Sequence, residues 1–128
     1  MLHAVVFDLD DTLAVTDRDR EAYLEAHREH SGRRTRQPVF EALVDTEAAE
    51  LTAAYREAIG EALTPVEGAG ALLSTLRTRY RLGLLTDGPD ETQRDKLRRL
   101  GWTETFDATV VTGPLGAPKP DRRAFEAI

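Results

Sequence analysis

The rhythm of apolar and polar positions changes repeatedly along this chain, and each change predicts an element. Residues 4–9, AVVFDL, form a nearly continuous apolar run. Such a run suits a short strand covered on both faces, as in parallel sheets. From Asp17 to His30 the pattern turns helical, with acids and bases mixed and few bulky apolar residues. SGRRTRQP (31–38) reads as a loop, in which Gly32 can stop one helix and Pro38 can open the next. Phe40, Leu43, Leu51, Tyr55 and Ile59 recur at threes, fours and their sums, which gives the next segment one apolar face. A break is expected near Asp45 and Thr46. Residues 14–64 together read as a small helical insertion of two or three helices.

After LTPVEGAG the pattern becomes regular. Residues 68–80 read as a helix with Leu72, Leu73 and Leu76 inward, and RLGLLTDG (81–88) as a second buried strand. PDETQRDKLRRLGW is a capped helix, with Pro89 and Asp90 near its start and Gly101 at its end. FDATVVTG (106–113) is a third strand, followed by the loop PLGAPKPD and a final helix from about Asp121. Strand, helix, strand, helix, strand, helix predicts an α/β fold with a parallel, doubly wound sheet. Its core is built from 1–13 and 65–128, interrupted by the helical insertion 14–64. Sheets of this kind bind ligands beyond the carboxyl ends of their strands. There the chain places Asp8 and Asp10, then Thr86 and Asp87, and finally Lys119.

Composition narrows the picture. The length, 128 residues, is that of one ordinary domain, and the net charge of −6 disfavours nucleic-acid binding through a general basic surface. No apolar run is long enough for a membrane span, and the N-terminus lacks the basic region and small-residue site of a signal peptide. With no cysteine, disulfides and thiolate chemistry are excluded, and a soluble cytoplasmic protein is expected. Fifteen arginines stand against two lysines, Lys96 and Lys119. Arginine has taken almost every place where charge alone suffices, so each lysine merits inspection.

Side chains two apart in an extended segment share a face, so Asp8 and Asp10 project together while Leu9 turns away. Adjacent carboxylates repel. The pair can be a general acid beside an ionised nucleophile, or a cluster neutralised by a hard divalent ion such as Mg²⁺, or solvated acids in a turn. Thr86 and Lys119 add a hydroxyl donor and a cation, the groups a phosphoryl centre with spreading negative charge requires. Four other features read more plainly. His27 and His30 lack a third ligand partner, and Arg33, Arg34 and Arg36 read as a solvated loop. GAGALL lacks a dinucleotide-binding third glycine, and Trp102 reads as core packing.

DLDDTL, LLTDG and GAPKPDRRAF, in that order, resemble the first three motifs of the haloacid dehalogenase-like superfamily, and the resemblance covers essentially the whole chain. It implies a Rossmann-like core with an inserted all-helical cap at 14–64, and a Mg²⁺-dependent phosphatase acting on a small phosphorylated metabolite. By position, it makes Asp8 the nucleophile that becomes an aspartyl-phosphate and Asp10 the general acid and then base. Thr12 supports the loop, Thr86 binds the phosphoryl oxygens, and Lys119 holds Asp8 and the phosphate together. Asp87 also lies at the phosphate but departs from the asparagine common there, an extra acid that would repel the phosphate or stand in for a missing metal ligand. Mg²⁺ is implied at the Asp8 carboxylate and the Asp10 main-chain carbonyl. The same resemblance implies a fourth motif, an acidic pair after a further strand. After Lys119 the only acids are Asp121 and Glu126, so an incomplete core is expected, with the apolar edge of AVVFDL open to self-association. Weak phosphatase activity is then expected, the alternative being a catalytically inactive half-domain that serves in assembly or binding.

Overall fold

The computed structural model describes residues 1–17 and 45–128. Along the chain the elements are β1 (Ala4–Phe7), β2 (Ala14–Thr16), α1 (Asp45–Ala62), β3 (Leu63–Pro65), α2 (Ala69–Arg77), β4 (Arg81–Thr86), α3 (Asp90–Leu100), β5 (Ala108–Val111), α4 (Thr112–Leu115) and α5 (Arg122–Glu126). The chain divides into two compact units, Met1–Val15 with Thr64–Ile128, and Thr16–Leu63. Within the second unit α1 is described from Asp45 onward. The insertion expected to be all-helical over 14–64 begins and ends in strand, at β2 and β3. The expected helix over 17–30, the loop 31–38, Phe40 and Leu43 lie outside the described residues, as do the side chains of Leu51 and Tyr55.

The first unit is α/β. Its sheet has the order β1-β4-β5, and both pairings are parallel. Ala4 faces Arg81 and Phe7 faces Leu84, while Gly83 faces Ala108 and Thr86 faces Val111. Side-chain chemistry fixes the start of the second pairing: the Leu82 amide donates to Asp107 Oδ2 at 2.8 Å and the Asp107 amide to the Leu82 carbonyl at 2.8 Å. This register brings the carboxyl ends of all three strands to one edge. β4 is central and buried from Leu82 to Thr86, with apolar side chains on both faces up to Leu85. Leu82, Leu84 and Leu85 form the core with Leu73, Leu97, Trp102 and Phe106.

β1 departs from the two-sided burial expected of it. Val5 and Phe7 are half-buried, but Val6 is 48% exposed, because β1 stands at the end of the sheet order among the described residues. A continuous apolar run thus describes β4 correctly and β1 on one face only. The observed strands are also shorter than expected. Asp8 and Leu9 have left the β1 ladder, and Thr112 and Gly113 already open α4. In α2, Leu73 is buried, but Leu72 is exposed and not inward. The buried pair Ala69 and Leu73 is spaced i, i+4, and Leu72 lies about 100° round the helix from Leu73.

α3 is assembled from ordinary end signals. Asp90 and Glu91 occupy its first turn and Arg98 and Arg99 its last, each sign opposing the helix dipole. Gly101, at φ 73°, supplies the left-handed exit, and the Gly101 and Trp102 amides return to the Arg98 and Leu97 carbonyls as a Schellman closure. The one face it buries carries Gln93 and Leu97. A buried glutamine four residues before a buried leucine is the first sign that this helix faces something polar.

Candidate active site

The loop after β1 is folded around one residue. Leu9 is fully buried, and its carbonyl accepts the amides of Thr12, Leu13 and Ala14 at 3.3, 3.0 and 3.2 Å. Asp11 closes the turn at φ 58°, a left-handed conformation that aspartate tolerates better than most residues. Sinking Leu9 leaves Asp8 and Asp10, on either side of it, half-buried.

Each of the two carboxylates meets its own lysine. Lys119 Nζ donates to Asp8 Oδ1 at 2.7 Å and to the Leu85 carbonyl at 3.0 Å, while Thr12 Oγ1 donates to Asp8 Oδ2 at 3.1 Å. Lys96 Nζ donates to Asp10 Oδ1 at 2.7 Å, and Gln93 Nε2 to Asp10 Oδ2 at 2.9 Å. Like-charge repulsion, which the sequence DLDD raises as a problem, is therefore met by one ammonium per carboxylate. Side-chain exposures of 24% for Lys119 and 13% for Lys96 keep both pairs partly out of water.

Thr86 and Asp87, at the end of β4, have different surroundings. Thr86 is buried, and its hydroxyl accepts from Gln93 Nε2 at 2.6 Å. The proton of that hydroxyl has only a long 3.5 Å contact to the Asp87 carbonyl. Asp87 Oδ1 accepts from Thr112 Oγ1 at 2.7 Å and from the Lys119 amide at 3.0 Å. Burial alone would raise the Asp87 carboxyl, but the Lys119 amide, the Thr112 hydroxyl and the Lys119 charge outweigh it and hold the group below its ordinary value. Asp87 thus ties the end of β4 to the start of α4 and to the lysine loop. Just beyond, Asp121 caps α5 by accepting the Arg123 amide, and its bonds with Arg123 pull its carboxyl down to about 2.

Of the residues singled out in the sequence, Asp8, Thr12 and Lys119 are in direct contact, and Asp10, Thr86 and Asp87 join them at the same sheet edge. Sequence reasoning passed over Gln93 and Thr112, and gave Lys96 no role. Only the scarcity of lysine pointed towards Lys96. His27, His30, Arg33, Arg34 and Arg36 lie outside the described residues. Trp102 is buried.

Asp8 and Asp10 offer the hard oxygen donors that Mg²⁺ prefers. Among the described residues no group of three His, Cys, Asp or Glu side chains is placed to hold a metal ion. A cation here would therefore depend on water or on donors elsewhere to fill its shell. No helix among the described residues is long and apolar enough to cross a membrane.

Residues 2–128 match the family of haloacid dehalogenase-like hydrolases. The chain belongs to this family. Among curated relatives, it is 31% identical over 83 residues to the pyrimidine 5'-nucleotidase YjjG of Escherichia coli, an alignment covering 65% of this chain and 37% of that protein. It is 41% identical over 63 residues to the human N-acylneuraminate-9-phosphatase, covering 49% of this chain and 25% of that one. The alignments thus span well under half of either relative. The magnesium-bound HAD-hydrolase YfnB of Bacillus subtilis superposes with a TM-score of 0.69 at 22% identity, over 98% of this chain and 70% of that one. That likeness carries the fold, a haloacid dehalogenase-like core.

Proposed function

We propose that this haloacid dehalogenase-like chain carries the nucleophile and general acid of a hydrolase for small phosphomonoesters. One observation supports it above the rest: the Lys119 ammonium, 111 positions along the chain, stands 2.7 Å from Asp8. A cation so placed orients the Asp8 carboxylate and attracts the phosphoryl oxygens as charge builds on them. With the anionic ester beside it, Asp10 enters the step protonated. An Asp8 oxygen attacks phosphorus, the bond from phosphorus to the leaving oxygen breaks, and Asp10 gives that proton to the leaving oxygen. Asp10 then takes a proton from water as the water oxygen attacks phosphorus, which releases inorganic phosphate and restores Asp8. The buried Thr86 hydroxyl is the donor to a phosphoryl oxygen. Asp87 acts as a positioning residue, since its carboxylate holds the Lys119 loop. Mg²⁺, where bound, would be held by the Asp8 carboxylate and the Asp10 main-chain carbonyl and would supply charge neutralisation at the phosphoryl group.

The named activities of the two curated relatives, on a nucleotide and a sugar acid phosphate, make a small phosphorylated metabolite the substrate class to try. The unit Thr16–Leu63 is assigned the role of substrate-selecting cap. The test is phosphate release from a panel of phosphomonoesters with Mg²⁺, for the wild type and Asp8→Asn. Asp8→Asn should lose about 10³-fold or more of kcat. Turnover that survives this substitution overturns the mechanism. A wild type inert on every ester, with unchanged oligomeric state in the variant, favours the assembly-module reading.

A further inference from the structure

α3 lies outside the sequence motifs, yet it reaches both ends of the site. Gln93 and Lys96 are three residues apart, so they share one face of the helix. Each takes one oxygen of the Asp10 carboxylate, Lys96 at 2.7 Å and Gln93 at 2.9 Å. Gln93 also donates to Thr86 Oγ1 at 2.6 Å, so a single buried amide joins the loop after β1 to the end of β4. Other cations of the helix behave differently: Arg94, Arg98 and Arg99 bond acids within α3, whereas Lys96 bonds an acid 86 positions earlier. A partly buried ion pair is a poor stabiliser, because desolvation offsets most of the attraction. Its effect is directional. With both oxygens held, the carboxylate cannot rotate freely about the end of its side chain.

We infer that Lys96 and Gln93 are positioning residues for Asp10, a two-point clamp that aims the general acid at the leaving oxygen and couples it to Thr86. This rests on the phosphomonoesterase reading above. Lysine suits the position better than arginine. Its point charge occupies one oxygen and leaves the other to Gln93, whereas a guanidinium fork takes both.

The test compares kcat and KM for two esters. Ethyl phosphate needs a proton on its leaving oxygen; 2,4-dinitrophenyl phosphate does not. Lys96→Met should lower kcat for ethyl phosphate about 10–100-fold, with KM and the dinitrophenyl ester changed less than about threefold. Lys96→Arg should recover part of that loss. Gln93→Met should show the same excess loss on ethyl phosphate, above a smaller loss common to both esters because it also releases Thr86, and carries the test should Lys96→Met fail to fold. Equal losses on both esters, no loss on either, or no recovery with arginine overturns the clamp. Asp10→Asn in the same assay separates the two claims. If it shows the split and the clamp variants do not, only the clamp falls. If it shows none, the general-acid reading falls and the clamp with it.

Discussion

Replacing Asp87 by alanine removes in one step the acceptor that joins Thr112 and the Lys119 amide to the end of β4. A hydrogen bond to a charged acceptor contributes about 1.5–3 kcal/mol. Asp87 is only half-buried, so solvent screening puts both of its bonds at the low end of that range. The expected loss is therefore about 2–3 kcal/mol, or roughly 10 °C in Tm for a domain of this size. Asp87→Asn keeps an acceptor oxygen without its charge and should lose about 1 kcal/mol. Urea unfolding of the three proteins across pH adds a second reading. Because the folded carboxyl lies below its ordinary value of 3.8, its stabilisation is complete above that value and is lost as pH falls through the folded one. The gap between wild type and Asp87→Ala should stay constant from about pH 7 to about pH 5 and close below about pH 4. A gap that widens on acidification, or an alanine variant as stable as the wild type, refutes the tie and with it the account of how Lys119 is held over Asp8.

Two further outcomes follow from backbone and edge geometry. A Cβ at Gly113 would collide with the Gly88 carbonyl oxygen that its own amide bonds, so Gly113→Ala must separate the two loops. It should cost about 2–3 kcal/mol in urea unfolding and lower turnover, whereas Gly101→Ala, with open space but φ 73°, should cost about 1–2 kcal/mol and spare turnover. An alanine at 113 that leaves both unchanged contradicts the packing. At the β1 edge, Val6→Lys puts a charge on an exposed strand, and light scattering should show less self-association than in the wild type. Equal association in the two proteins removes that edge as its cause.

The alternation of strands and helices was legible because β4 and its neighbours are short apolar runs between turn and cap residues. Asp8 and Lys119 were legible too, since strand ends converge in a parallel sheet whatever lies between them, whereas Thr12 came only from the resemblance of DLDDTL to a family motif. Burial around β1 was harder to read. Its composition matches that of β4, and the number of strands beside it is a property of the sheet, not of the segment. Leu72 misled for a related reason. Helical periodicity places Leu72, Leu73 and Leu76 within one broad face, and packing alone chooses its centre. Gln93 and Lys96 were hidden in DETQRDKLRRL, where the helix is so polar that no pattern separates a residue facing Asp10 from those pairing along the surface.

The two lysines have a practical consequence. In this sequence their ε-amines are the only ones, and both end on the paired aspartates of the DLDD loop. An amine-selective acylating reagent therefore finds the N-terminus and two groups within the candidate site, with no cysteine to compete. Mass-spectrometric mapping of such tagging would turn this arginine-rich chain into its own reporter. An occupant that shields Lys96 or Lys119 would register as a peptide left unmarked.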